Sequence, residues 1–195
     1  MDKMHKACGL IMRVSLLFVL PLVLSLNVQQ AIAFEGDYVW EARFKAGLAK
    51  ARSGHQVKDQ YAVGDMYLLG RGTAKHTAKA LYWFLLAAKQ GHHKAAYKVG
   101  YLYLYGEGLP PGAFPEQGLP WMRKAALAGY APAQYELGRL FFSGKVIARN
   151  ESQALKWLGL AKVANYAPAR EAFDQMVKRL VNTQTAFVDQ GHTVK

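Results

Sequence analysis

The sequence predicts an all-α chain, a solenoid built from helical hairpins. Three observations carry that reading. One pattern is written three times, at steps of 36 and 38 residues: Gly64, Gly100 and Gly138; Tyr67, Tyr103 and Phe141; Gly70, Gly106 and Gly144. Trp83, Trp121 and Trp157 follow at 38 and 36. Each copy holds two runs at helical spacing, as in Tyr61, Gly64, Tyr67 and Leu68, then Ala80, Trp83, Phe84, Ala87 and Ala88. Between the runs stands Gly70-Arg71-Gly72, then Gly106-Glu107-Gly108, supplying the positive φ that a tight turn needs. In the third copy Val146 replaces the second glycine.

The ends of the runs are marked as well. Gly91 and Gly129 stand just past the second run, where a left-handed residue closes a helix, and Asn165 substitutes in the third copy. Asn150 is placed to cap the third unit's second helix. His76 and Phe114 hold that place in the other two units, so weaker capping is expected there. Gly64 and its copies lie inside a helix, at a cost of roughly 1 kcal/mol each relative to Ala. A cost that recurs predicts close helix contact, for Gly64 against the Ala80 region.

The pattern resembles the Sel1-like repeat family, a relative of the tetratricopeptide repeats. Ala131, Ala133, Leu137 and Gly138 match the opening of the family's unit. Gly70, Gly72, Lys79, Ala80, Trp83, Ala87, Ala88 and Gly91 match its remainder. The resemblance covers residues 57–169, with partial units on both sides. It implies antiparallel helix pairs stacked in a right-handed α-solenoid and used for protein–protein contact.

Taken in order, residues 1–33 read as a cleavable signal peptide. Lys3, Lys6 and Arg13 make a positive start, residues 14–26 are apolar, and Ala31-Ile32-Ala33 is a small-x-small cleavage site. The apolar run, interrupted by Pro21, is too short to favour a membrane span, and an uncleaved anchor is the other reading. Cleavage after Ala33 implies a periplasmic or secreted protein with no transmembrane span. Cys8, the only cysteine, lies in this segment, so the mature chain has neither disulfide nor thiolate metal site. This departs from the cysteine-paired Sel1-like proteins.

Residues 34–56 read as an N-terminal capping helix with Phe44, Leu48 and Ala51 on one face. Three full units follow, at 57–93, 94–129 and 130–166. The second is longer by two residues in its 109–114 loop. There Pro115 fits a first helical turn, whereas Pro120 predicts a kink near 116–119 or a helix beginning at Pro120. Ala131-Pro132-Ala133 recurs as Ala167-Pro168-Ala169, so a last helix opens there and caps the stack over 167–182. Residues 183–195 read as a polar, frayed tail.

The first helix of the second unit is crowded with Tyr97, Tyr101, Tyr103 and Tyr105. Tyr101 and Tyr105 share a face other than the core face. Asp65 and Arg139 stand at the position equivalent to Tyr101. Such a stripe either lines the inner groove of the superhelix or shields the neighbouring unit. Aromatic residues and arginine are the types that anchor interfaces. Asp65, Lys98, Tyr101, Tyr105, Arg139 and Phe142 are therefore the candidate groove residues.

The sequence carries no G-x-S-x-G, no H-E-x-x-H and no P-loop, and its Gly-x-Gly segments recur with the turns. Neither an enzyme nor a cofactor is expected. His92-His93 have no nearby carboxylate in sequence, and Glu107 with Glu116 are ordinary loop acids. The formal charge is +12. Residues 1–33 hold three Lys/Arg and one Asp, leaving 22 basic and 12 acidic residues, or +10. Scattered as they are, most of these cations solvate helix faces; any excess favours anionic neighbours. Nucleic acid is not expected for an exported chain.

The leading expectation is a non-catalytic adaptor in the bacterial cell envelope that binds another envelope protein in its concave groove. An accessory of an envelope machine, such as the flagellar motor, is one version of it. The alternative is binding to peptidoglycan or another anionic surface, with tyrosines stacked on sugars. A wall hydrolase or penicillin-binding variant is a third class, without residues to support it.

Overall fold

The computed structural model describes residues 38–53, 56–106, 108–109 and 114–189, with 183–189 described by backbone alone. The signal segment, its cleavage site, Cys8 and Glu107 lie outside the described residues. Among these residues every regular element is helical. Helix α1 covers 38–52. Then come α2 (Val57–Leu69), α3 (Thr77–Lys89), α4 (His93–Tyr105), a 3-10 turn (Pro115–Gly118), α5 (Leu119–Leu127), α6 (Ala131–Ser143), α7 (Glu151–Val163) and α8 (Ala167–Asp189). From α2 onward each helix packs on the next in the chain. The hairpins α2–α3, α4–α5 and α6–α7 are thus the three repeat units.

Small residues bring these helices together. Ala80, Ala87, Ala88, Ala95, Ala96, Ala125, Ala126 and Ala133 are all buried in one core that runs from α3 to α6 and takes in Trp157 of α7. Phe84 and Met122 fill it, and each such buried side chain contributes about 1.5–3 kcal/mol. At one end Phe44, Leu48 and Ala51 of α1 meet Val63 and Trp83. At the other, Met176 and Phe173 of α8 cover Ala154 and Leu158 of α7. Trp83 and Trp157 are buried and Trp121 is half-buried against the main core.

The recurring helix glycines do mark close contacts, but the neighbour differs from the expected Ala80 region. A Cβ on Gly64 would meet the Phe84 ring at 2.7 Å. On Gly138 it would meet Leu158 Cγ at 2.7 Å, and on Gly100 the Met122 backbone N at 2.9 Å. Phe84, Met122 and Leu158 each follow the unit's tryptophan. The closest approach of the second helix therefore lies one turn further along than expected.

The second helices all end alike. The N–H groups of His92, Tyr130 and Tyr166 donate to the carbonyls of Ala87, Ala125 and Ala161, each at 3.1 Å. That is the six-residue closure of a Schellman motif, with the left-handed residue at Gly91, Gly129 and Asn165 (φ 90, 81 and 58).

The weaker capping expected in the first two units is found, and one boundary is corrected. His76 caps α3 through its Nδ1, which accepts the Lys79 N–H at 3.3 Å, longer than the 2.9 Å of the Asn150 cap. At Phe114 the Gln117 side chain accepts the Phe114 N–H at 3.2 Å, closing that helix start from the opposite direction. Helix α8 runs to Asp189, beyond the 182 boundary, because no glycine or proline interrupts the sequence before Gly191. Of the two outcomes allowed for Pro120, the helix start is the one found. A 3-10 turn opens at Pro115, and α5 begins at Leu119 with Pro120 in its first turn, where its missing N–H has no helical partner to lose.

Candidate partner-binding groove

The helices α2, α4, α6 and α8 are the first helices of successive units. They meet one another through long side chains, and the candidate residues lie at those meetings. Lys98 on α4 places its Nζ 3.5 Å from Asp65 Oδ1 on α2. That is an ion pair too long to be a hydrogen bond, and the Asp65 oxygen is buried without a hydrogen-bond partner. One step on, the Tyr105 hydroxyl of α4 donates to Glu136 Oε2 of α6 at 3.4 Å. Arg139 grips both oxygens of the same carboxylate at 3.3 Å from one turn away.

Tyrosine rings surround this centre. Tyr101 lies between Tyr97 and Tyr105 on α4, with ring centres 5.9 and 5.0 Å apart. Tyr101 and Tyr105 remain 41% and 46% exposed, so they form a surface rather than a core. Beside them runs a second ladder. Tyr61 contacts His92 at 4.8 Å, Tyr97 contacts Tyr130 at 5.2 Å, and Tyr135 contacts Tyr166 at 5.5 Å. Each pair joins a first helix to the residue that completes a Schellman motif. The helix ending therefore aims the ring.

The chemistry here is that of protonated phenols. Burial raises the Tyr61 phenol to about 12, with the Asp65 charge adding to it. Burial and then the Glu136 charge push Tyr97 and Tyr105 up. Tyr166 rises through burial and Glu136, and Tyr130 mainly through burial. All stay neutral near pH 7, and the Tyr105 hydroxyl donates to the Glu136 carboxylate.

The six candidate residues thus form two groups along one path. Asp65 and Lys98 pair across α2 and α4. Tyr105 and Arg139 converge on Glu136, and Tyr101 packs against Tyr105. Phe142 sits one turn beyond Arg139, with the guanidinium groups of Arg149 and Arg179 at 5.4 and 5.8 Å from its ring. Leu69 is exposed, and Ser143 turns its hydroxyl back onto the Leu140 carbonyl at 3.1 Å.

Glu136, buried at the hub, was missed by sequence reasoning. Its signal was present: it precedes Arg139 by three on a helix, the spacing of a side-chain pair. His92, considered only as a metal ligand, instead caps α4, its Nδ1 accepting the Ala95 N–H at 3.1 Å. Two polar links also went unread. Gln90 donates to Gln60 at 2.7 Å between α3 and α2, and Gln134 donates to the Ala126 carbonyl at 3.1 Å.

Stacked helical hairpins with a tyrosine-rich face on their first helices define an α-solenoid repeat protein. The sequence matches the Sel1 repeat at residues 57–92, 93–130 and 131–162, and the chain belongs to that family. Its repeats are typically non-catalytic scaffolds for protein–protein contact. A protective antigen of uropathogenic Escherichia coli strains, displaying an SLR fold, is similar in structure. Its TM-score is 0.67 at 27% identity, over 72% of this chain and 30% of that one. A Sel1 repeat protein from Oxalobacter formigenes gives 0.58 at 27% identity, over 67% and 96%. In sequence, 48 residues are 38% identical to the ERAD-associated E3 ubiquitin-protein ligase component HRD3B of Arabidopsis thaliana. That match spans 25% of this chain and 8% of the plant protein.

Proposed function

We propose that this chain is an exported, non-catalytic adaptor of the bacterial envelope that holds a segment of another envelope protein along its first helices. The observation that carries the proposal is the exposed Tyr101–Tyr105 surface, fixed from below by Glu136 and Arg139. Tyrosine rings already held in place lose little freedom on binding, and Tyr and Arg dominate interface energies. The family's usual role supports a protein partner. The basic, apolar and small-x-small stretches of residues 1–33 support export, with a mature charge of +10.

Affinity recovery from envelope extracts tests the groove, with Tyr101→Ala and Arg139→Ala beside the unchanged protein. Each variant is expected to recover the partner about tenfold less well, as for residues near the centre of an interface. Equal recovery by both removes the groove assignment. Export is tested separately, by fractionating cells and weighing the protein. A chain beginning at Phe34 outside the cytoplasm is expected; an uncut chain overturns this part.

A further inference from the structure

The second helices of the units, α3, α5 and α7, carry cations and almost no acids. Neither α3 nor α5 contains Asp or Glu. Glu151, the one acid of α7, stands at its first position and pairs with Arg149 at 2.6 Å. Glu116 lies ahead of α5, in the 3-10 turn. First helices mix their signs, and α8 exposes Arg170, Glu171, Asp174 and Lys178. A helix face that only keeps a protein in solution carries both signs, because opposite charges three or four residues apart stabilise each other. The second helices lack that mixture in three successive units.

The repeat register also gives that face aliphatic residues. Lys89, Leu127 and Val163 are the last residues of α3, α5 and α7 and stand at one equivalent position. Leu86, Lys124 and Leu160 stand at another, about one turn earlier. Leu127 and Val163 are 72% and 83% exposed, and Leu160 is exposed as well. So are Lys89, Arg123 and Lys156, and none of these three pairs with a carboxylate of the described residues. Lys156 has only the Trp157 ring beside it, at 5.9 Å. Lys124 and Lys79 are already engaged, one donating to the Ala88 carbonyl at 3.1 Å and the other over the Tyr67 ring at 5.5 Å. Three open cations thus stand among three exposed aliphatic side chains.

We propose that this face of α3, α5 and α7 rests on the anionic headgroup layer of a phospholipid bilayer. Lys89, Arg123 and Lys156 meet the lipid phosphates, and Leu127, Leu160 and Val163 reach between the headgroups. Surfaces that lie in the membrane interface combine basic and aliphatic side chains in this way. The contact is peripheral, since among the described residues no helix is long and apolar enough to cross a membrane. A soluble polyanion would satisfy the cations and leave the aliphatic side chains in water. A purely apolar partner would bury the cations without a counter-charge. The face shares no residue with the groove on the first helices, so it stands or falls apart from that reading.

The test is sedimentation with vesicles, using the protein as purified from cells and variants that carry the same N-terminus. Vesicles of phosphatidylglycerol and phosphatidylcholine in equal parts are compared with phosphatidylcholine alone. The expected result is binding to the anionic vesicles only, weakened by added salt. Arg123→Gln with Lys156→Gln should weaken it roughly fivefold for each cation removed. Leu127→Ser with Val163→Ser should weaken it about tenfold, from the apolar area left in water. All four side chains are exposed or end a helix, so the core is untouched. No binding, or equal binding to neutral vesicles, overturns the proposal. So does a loss on removing the cations with none on removing Leu127 and Val163, which marks a surface for any polyanion. Inorganic phosphate that displaces the protein better than chloride of equal ionic strength overturns it too, and so does binding carried by residues 1–33, which would be the same in every variant. Tyr101→Ala should sediment as the unchanged protein does. Should partner recovery ignore both groove variants while the vesicles respond as expected, the groove falls and this face stands. Should Tyr101→Ala lose its partner while both double variants sediment unchanged, this face falls and the groove stands.

Discussion

Gly100 and Gly159 both lie inside helices, yet substitution should move stability in opposite directions. A Cβ on Gly100 would stand 2.9 Å from the Met122 N and 3.1 Å from the Gly118 carbonyl oxygen, both backbone atoms that cannot turn aside. On Gly159 the nearest atom is Phe173 Cε2 at 3.5 Å, an ordinary contact. Alanine gains about 1 kcal/mol of helix propensity at either place. Overpacking costs about 1–3 kcal/mol at Gly100. Urea unfolding should therefore show Gly100→Ala less stable and Gly159→Ala more stable than the parent; a shared sign would refute the contact geometry. Glu136 gives a second test. Its charge helps to hold the Tyr97 and Tyr105 phenols above their ordinary value, after burial, whereas Tyr61 owes its rise to burial and Asp65. In Glu136→Gln, ring-carbon NMR should show Tyr97 and Tyr105 ionising at lower pH while Tyr61 stays near 12. Unmoved Tyr97 and Tyr105 would mean the carboxylate is not at the hub. Gly100 was legible because its recurrence in mid-helix demanded a reason. Glu136 was not, because nothing in a one-dimensional string shows that Tyr105, thirty-one residues earlier, lies beside it.

Helix ends were legible where residue type alone decides the backbone. Gly91, Gly129 and Asn165 were read correctly because few other residues accept positive φ. The starts of α3 and α4 were not, since a histidine caps a helix only when its neutral Nδ1 faces the open N–H groups, and spacing does not report a tautomer. This has a consequence for acid stability. His92 has its pKa lowered below 6.5, chiefly by burial and then by His93, Lys94 and Lys58. The unfolded chain therefore binds the proton more readily than the folded one. Stability from this group is complete above about 6.5 and is lost as pH falls from there through the folded value. Protonation also removes the lone pair that accepts the Ala95 N–H. Chemical unfolding measured from pH 7.5 to 5 should show a decline that His92→Asn, which caps without titrating, makes shallower. Parallel slopes for both proteins would show that the cap is not the cause.

At the scale of the whole molecule, periodicity made the architecture readable, because a hairpin that cannot bury its own face must repeat to survive. A cleft of about 250 Å³ between α6 and α8, lined by Tyr135, Phe142, Ala172 and Met176 among others, escaped that reading for a related reason. It arises where the repeat stops repeating, at Ala172, and a missing side chain is visible only once the helices are set in register. The same stacking principle predicts how damage spreads. Met122, fully buried, sits on α5 in the central unit and belongs to the core shared from α3 to α7. Met176 sits on α8 and touches only the terminal cluster. Truncating either to Ala costs roughly 2–5 kcal/mol locally. In a linear array, an end unit can open alone, but loss of the centre leaves neither flank with enough neighbours. Native-state hydrogen exchange should therefore find Met176→Ala speeding exchange in α8 and part of α7 while α2–α5 keep their protection. Met122→Ala should lower protection from α2 through α7 together and shift a single unfolding transition to lower denaturant. Faster exchange confined to α5 in Met122→Ala would mean that the units do not share one spine.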